Sequence, residues 1–202
     1  MPSSLLTTDN STITTVDGRE IRTLRDILPE RPGLKVLFVA KTPAPKSVAA
    51  GHYFQGRQGR MFWNLLKEHG LFKATTPFED DSLLDHGFGI TDIVKVPREY
   101  GNEPLRAEYV AGMDRILEQI RVHRPSVIVF VYKGVLDKLL LHRFDIRKKS
   151  AYGFNPDLEN HFGARVFAFP LPGTPCTTAQ AVAAMHELAD AVGRRALVGL
   201  HA

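Results

Sequence analysis

Four short apolar runs stand out along the chain: Lys35–Ala40, Gly89–Val94, Ser126–Tyr132 and Arg165–Phe169. The third, SVIVFVY, is nearly continuous in β-branched and aromatic residues, the pattern of a central parallel strand covered on both faces. Segments of helical spacing lie between the runs. Leu105–His123 carries Leu105, Tyr109, Met113, Ile116, Leu117 and Ile120 on one stripe. Met61–His69 stops at Gly70, Gly134–Leu141 is shorter, and Thr177–Leu197 is long, amphipathic and opened by a Thr-Thr cap. Strands alternating with helices predict an α/β fold, a three-layer α/β/α sandwich with a mostly parallel central sheet. The start of the chain reads differently. Residues 1–18 look frayed, Thr23–Leu28 reads as a short helix, and Glu30–Gly33 is a Pro/Gly stop before the first strand. The expected division is a flexible segment over 1–20 and one domain over 21–202.

In parallel sheets ligands bind outside the C-terminal ends of the strands. Those ends are Lys41–Ala44, Lys95–Pro97, Lys133–Gly134 and Pro170–Pro175, and each contains Lys, Pro or Gly. An apolar content of 44% is enough for a sizeable core. No run approaches the ~20 apolar residues of a membrane span, and the polar stretch Met1–Thr15 does not read as a signal peptide. A cytoplasmic protein with no membrane partner is expected, nucleoid-associated if bacterial, and a monomer. Cys176 is the only cysteine, which excludes an internal disulfide and any Cys-ligated cluster. No His/Asp/Glu ligand set clusters in the sequence either, so no metal and no cofactor are expected. The net charge of +4 is compatible with a polyanionic partner without demanding one. No phosphate-binding P-loop, dinucleotide fingerprint, nucleophile elbow or zinc-protease motif occurs.

The densest signal runs from Lys35 to Trp63, KVLFVAKTPAPKSVAAGHYFQGRQGRMFW. A buried strand feeds a Pro-interrupted loop, then a glycine, three rings and a basic patch. Two further segments go with it, GITDIVKVP over Gly89–Pro97 and FPLPGTPCTTAQ from Phe169. Together these resemble the three motifs of the uracil-DNA glycosylase superfamily. The resemblance is greatest to the mismatch-specific uracil/thymine branch, whose first motif runs G-I-N-P-G, about ten residues, G-x-x-F and R-F-W. The entry LRDILPERPGLKVLFVA is also similar, and the likeness extends from about Leu24 to about Leu197.

The resemblance implies a monofunctional, metal-independent enzyme that flips deoxyuridine out of DNA and hydrolyses its N-glycosidic bond in base-excision repair. Its partner would be uracil-containing DNA. It also exposes a departure: the position of the family's catalytic Asn is Thr42. A hydroxyl cannot offer the paired donor and acceptor of an amide, so Thr42 either positions water or marks a lost motif. The branch called family 5 also lacks the acid or amide there, with A-P-A where this chain has T-P-A, and is understood to use an Asp on a neighbouring strand. Asp92, in GITDIVKVP, is the matching acid. It would stabilise positive charge on the sugar and accept a proton from water; otherwise it caps a turn or bonds Thr91.

Phe54 keeps the family's spacing for the ring that stacks on the extruded base; a core Phe is the alternative. Lys41, Pro43, Gly51, His52 and Tyr53 would line the pocket with it. Gly173, Thr174 and Pro175 fall in the third motif, with Pro175 at the wedge position and Leu171 at the usual Asn; an ordinary Pro-Gly turn is the alternative. Lys46, Arg57, Arg60 and Lys95, with the helix start at Thr177, are expected to meet phosphates, as is Lys41. The run Arg143–Lys149 reads as a solvated face. Two rival functions stand: a catalytically inactive DNA-binding protein of the same fold, and a small hydrolase of free nucleosides. The second lacks an acidic sugar-binding cluster at the strand ends.

Overall fold

The computed structural model describes residues 7–99 and 101–193. The first six residues of the expected flexible segment and the end of the expected last helix, beyond 193, lie outside them. The chain opens with an antiparallel hairpin, β1 (Ser11–Val16) and β2 (Arg19–Leu24). There follow β3 (Val36–Ala40), α1 (Pro45–Ala50), α2 (Arg57–Glu68), β4 (Phe88–Asp92), α3 (Arg106–His123) and β5 (Val127–Phe130). The order ends with α4 (Lys133–Phe144), β6 (Gly153–Phe154), α5 (Glu159–Phe162), β7 (Arg165–Ala168) and α6 (Thr178–Gly193).

Five strands form one sheet in the order β4-β3-β5-β7-β6, all parallel except the edge strand β6. Residues of β3, β4 and β5 are buried throughout, because helices cover both faces. Alternation divides them. Val36 and Phe38 join Phe62, Trp63 and Leu66 of α2 and Met185 and Leu188 of α6. Leu37 and Val39 join Tyr109, Met113 and Ile116 of α3 and Leu136 and Leu139 of α4. The expected α/β sandwich with a mostly parallel sheet is the fold observed.

The start of the chain departs from expectation. From Ser11 the residues expected to fray form a strand, and Thr23–Leu28 is not a helix. Thr23 and Leu24 end β2, and Ile27 bridges to Ile90 of β4. The Ser/Thr-rich hairpin has no apolar run to announce it; long-range contacts hold it. Asn10 N–H donates to Gly51 O at 2.8 Å, and Thr23 Oγ1 donates to Lys95 O at 2.6 Å. Helix α2 also begins four residues earlier than the apolar pattern suggests, at Arg57.

Candidate functional site

Each parallel strand is followed in the chain by a helix, β3 by α1 and α2, β4 by α3, β5 by α4 and β7 by α6, and the C-terminal ends of the four strands lie at one end of the sheet. Strand β3 leads on to β4 on one side, whereas β5 leads on to β7 on the other. The topological switch therefore lies between β3 and β5, where an open α/β sheet carries its site. The first-motif loop, Lys41–Ala44, leaves β3 there. It continues the ladder beside the segment after β4: Val94 N–H donates to Lys41 O and Arg98 N–H to Pro43 O, both at 3.0 Å.

Asp92 is the last residue of β4 and stands opposite Ala40, two positions before Thr42. It is 1% exposed, and its Oδ2 has no hydrogen-bond partner. Burial pushes its carboxyl up to about 6, against the pull of Lys95, whose Nζ lies 3.7 Å from Oδ2. The Thr42 side chain is half-buried at the same end of the sheet, and Pro43 is buried under the loop.

Phe54 has φ 59, a left-handed conformation that is a genuine outlier for a bulky side chain. The turn is held on two sides. Gln55 N–H donates to Ser47 Oγ at 3.1 Å, and Gly59 in the first turn of α2 lies directly against the Phe54 backbone. The half-buried ring caps an aromatic stack, 4.7 Å from Phe62 and 5.8 Å from Trp63 by centroid.

Its neighbours are differently placed. Tyr53 is wholly buried, with its hydroxyl donating to Arg25 O at 3.1 Å. Burial, with Asp92 and Asp26 nearby, keeps that phenol neutral by raising it well above its ordinary value. His52 turns away from the strand ends. Its ring stacks on Phe78 at 3.6 Å, and Nδ1 lies 2.9 Å from Asp80 Oδ1. Burial raises the Asp80 carboxyl although Tyr53 N–H, His52 and Asn10 all bond it. His52, Asp80 and Asp81 bring ligand atoms within 4.8 Å of one another. Those atoms are already committed, with Asp81 taking Thr8 N–H and Thr76 Oγ1; the trio anchors the hairpin. Gly51 belongs to the same anchor: its left-handed φ of 71 ends α1, and Asp9 packs where a Cβ would stand.

The third-motif segment turns tightly after β7. Thr174 Oγ1 donates to Leu171 O at 2.7 Å, and the Leu171 side chain packs into the core. Gly173 and Pro175 are exposed at the tip of this turn. Thr177 and Gln180 cap α6 reciprocally, Gln180 N–H donating to Thr177 Oγ1 and Thr177 N–H to Gln180 Oε1.

Of the expected phosphate contacts, Lys46, Arg57 and Arg60 are exposed, Lys46 on α1 and the two arginines on the first turn of α2. Lys41 is bound to Glu103 at 2.9 Å and lies over the Tyr132 ring at 5.9 Å. Lys95 differs most. Its ammonium points inward, to Asp26, Leu24 O and Tyr53 Oη.

The family model of the uracil DNA glycosylase superfamily matches residues 30–174, most of the chain. The chain belongs to this superfamily. Membership carries a DNA glycosylase-like role, since proteins of the superfamily bind DNA and are generally DNA glycosylases. The matched residues include both the first-motif loop and β4 with Asp92.

Sequence reasoning missed four residues of the candidate site. Asp26, Arg115, Glu103 and Tyr132 come from different segments and meet only in the fold. Glu103 collects Lys41, Lys138 and the Tyr109 hydroxyl. Against the cost of burial, hydrogen bonds from Lys138, Tyr109 and Lys41 hold it down at about 2. Asp26, with Arg115, lies beneath Asp92. The one available signal was the D-I-L of the entry segment, which marks position 26 without disclosing its partners. No helix among the described residues is long and apolar enough to cross a membrane.

Proposed function

We propose that this chain is a monofunctional uracil-DNA glycosylase. Deoxyuridine is flipped from DNA and its base stacks on Phe54. The C1′–N1 bond breaks, and the uracil leaves with the bonding electrons. Asp92 stabilises the positive charge that develops on the sugar. Water adds to C1′ and gives its proton to Asp92, with the Thr42 hydroxyl orienting that water. The product is an abasic site. Lys46, Arg57, Arg60 and the α6 N-terminus at Thr177 bind phosphates, and the exposed Pro175 turn acts as the wedge. Lys95 is reassigned from phosphate contact to partner of the buried carboxylates.

One observation carries this reading above all: a carboxylate oxygen at the end of β4, buried and without a donor, beside the first-motif loop. A buried orphan acceptor is costly and is kept where it has a task. Oligonucleotides carrying U, T, hypoxanthine or no lesion, incubated with the protein in EDTA and then cleaved with alkali, test it. Cleavage at U, without any metal, is the expected result. No cleavage at any base would sink the proposal.

A second reading, a DNA-binding protein of this fold without catalysis, is favoured by two other observations. Leu171 stands at the family's Asn position with its side chain in the core, and Asp92 is only 1% exposed. Gel-shift of uracil DNA with no base released in the same tube selects it.

A further inference from the structure

The buried charges beneath the site are joined through one ammonium. Lys95 Nζ bonds Asp26, Leu24 O at 3.0 Å and Tyr53 Oη at 3.2 Å. An ammonium has three hydrogens, so all are committed, and Asp92 Oδ2, at 3.7 Å, receives none. Two carboxylates thus compete for one cation, and Asp26 holds it. Asp26 can do so because it is braced from elsewhere. Thr91 Oγ1 donates to it at 2.7 Å, Arg115 Nη1 at 2.8 Å and Gln119 Nε2 at 2.5 Å. Arg115 pulls on Asp92 by its charge but makes no hydrogen bond to the carboxylate, since its second nitrogen bonds the Asp92 main-chain carbonyl. The groups facing Asp92 are therefore Lys95 beyond β4, Asp26 beyond β2, Arg115 from α3 and Tyr53 from the turn after α1. Asp26 lies outside the residues that the superfamily matches.

We propose that Asp26 is a positioning residue for Asp92: it captures the Lys95 ammonium and so leaves Asp92 Oδ2 without a donor, as a proton acceptor. The proposal rests on the glycosylase reading for its purpose, though not for its electrostatics. The two carboxyls move in opposite directions, as this division requires. Burial raises both, but Lys95 and Arg115 outweigh it at Asp26 and bring that group below its ordinary value, whereas Asp92 stays raised.

The test follows the Asp92 side-chain carboxyl by carbon-13 NMR across pH in the full chain, beside single-turnover uracil release over the same range. Asp26→Asn frees Lys95 for Asp92, so the Asp92 midpoint falls by about one pH unit or more, and the acid limb of release moves with it. Lys95→Met removes the ammonium, so the midpoint rises. Loosened packing would not drive two neighbouring variants in opposite directions. A midpoint that stays put, or moves the same way in both, overturns the proposal. If Asp26→Asn does not fold, Lys95→Met decides alone, and no rise overturns it. Opposite shifts in a protein that releases no uracil would uphold the coupling and remove the glycosylase reading instead.

Discussion

The backbone of Phe54 lies directly against Gly59, with no room between them for a Cβ. A bulky residue in the left-handed region costs about 1–3 kcal/mol and persists only where its surroundings enforce it. The first turn of α2 is that surrounding. Gly59→Ala must push the two apart, and a loss of roughly 1–3 kcal/mol is expected. It would be read as a lower urea midpoint at unchanged slope. A neutral substitution would show that α2 does not hold the turn.

Phe54 itself offers a cleaner separation of stability from binding. Phe54→Leu keeps apolar bulk against Phe62 and Trp63 but removes the flat face. Binding of DNA with an extruded uracil should weaken by about 1–3 kcal/mol, with a much smaller change in melting temperature. Unchanged DNA binding with a large fall in melting temperature would make Phe54 a core residue.

How much of this was legible in advance varies with the origin of each contact. The buried strands β3 and β5 announce themselves, because both faces are covered and every position is apolar, and so does β7 once past the exposed Arg165. The β1–β2 hairpin does not, because its strands carry Ser, Thr, Arg and Glu at half-exposed positions and depend on Gly51 and Asp80 for docking. Asp92 could be singled out from its motif. Its environment could not, since Asp26 takes bonds from Thr91 and Arg115, 65 and 89 positions away. His52 shows the converse: a ring adjacent to a motif in sequence need not face the same way, because the turn at Phe54 sends its neighbours to different sides.

The raised Asp92 carboxyl has a consequence for stability. Its folded value of about 6 lies above the ordinary 3.8, so the folded chain holds this proton more tightly than the unfolded chain. Below ~pH 4 both states are protonated and the group contributes nothing. As pH rises through ~6 the folded chain must carry a buried charge, and stability falls by an amount on the order of 3 kcal/mol. Asp92→Asn abolishes this dependence. The stability of the variant relative to the parent should therefore increase between ~pH 4 and ~pH 7, measured by urea unfolding. A difference that is flat with pH would mean that Asp92 does not titrate in that window.

Salt dependence distinguishes outward from inward cations. Replacing Lys46, Arg57 or Arg60 should each lower the slope of log affinity against log salt by about one. Lys95→Met should leave that slope unchanged, because its ammonium faces Asp26. Unchanged slopes at Arg57 and Arg60 would move the DNA path away from the α2 N-terminus.

Single-turnover release of uracil by Asp92→Asn and Thr42→Ala, compared with the parent, tests the central claim most directly. If Asp92 is the proton acceptor and charge stabiliser, Asp92→Asn loses ~10²–10⁴ in rate while still binding uracil DNA. Thr42→Ala loses less, since solvent can partly replace a hydroxyl that only orients water. Thr42 essential with Asp92 dispensable, or a parent that binds uracil DNA and releases nothing, would contradict the account.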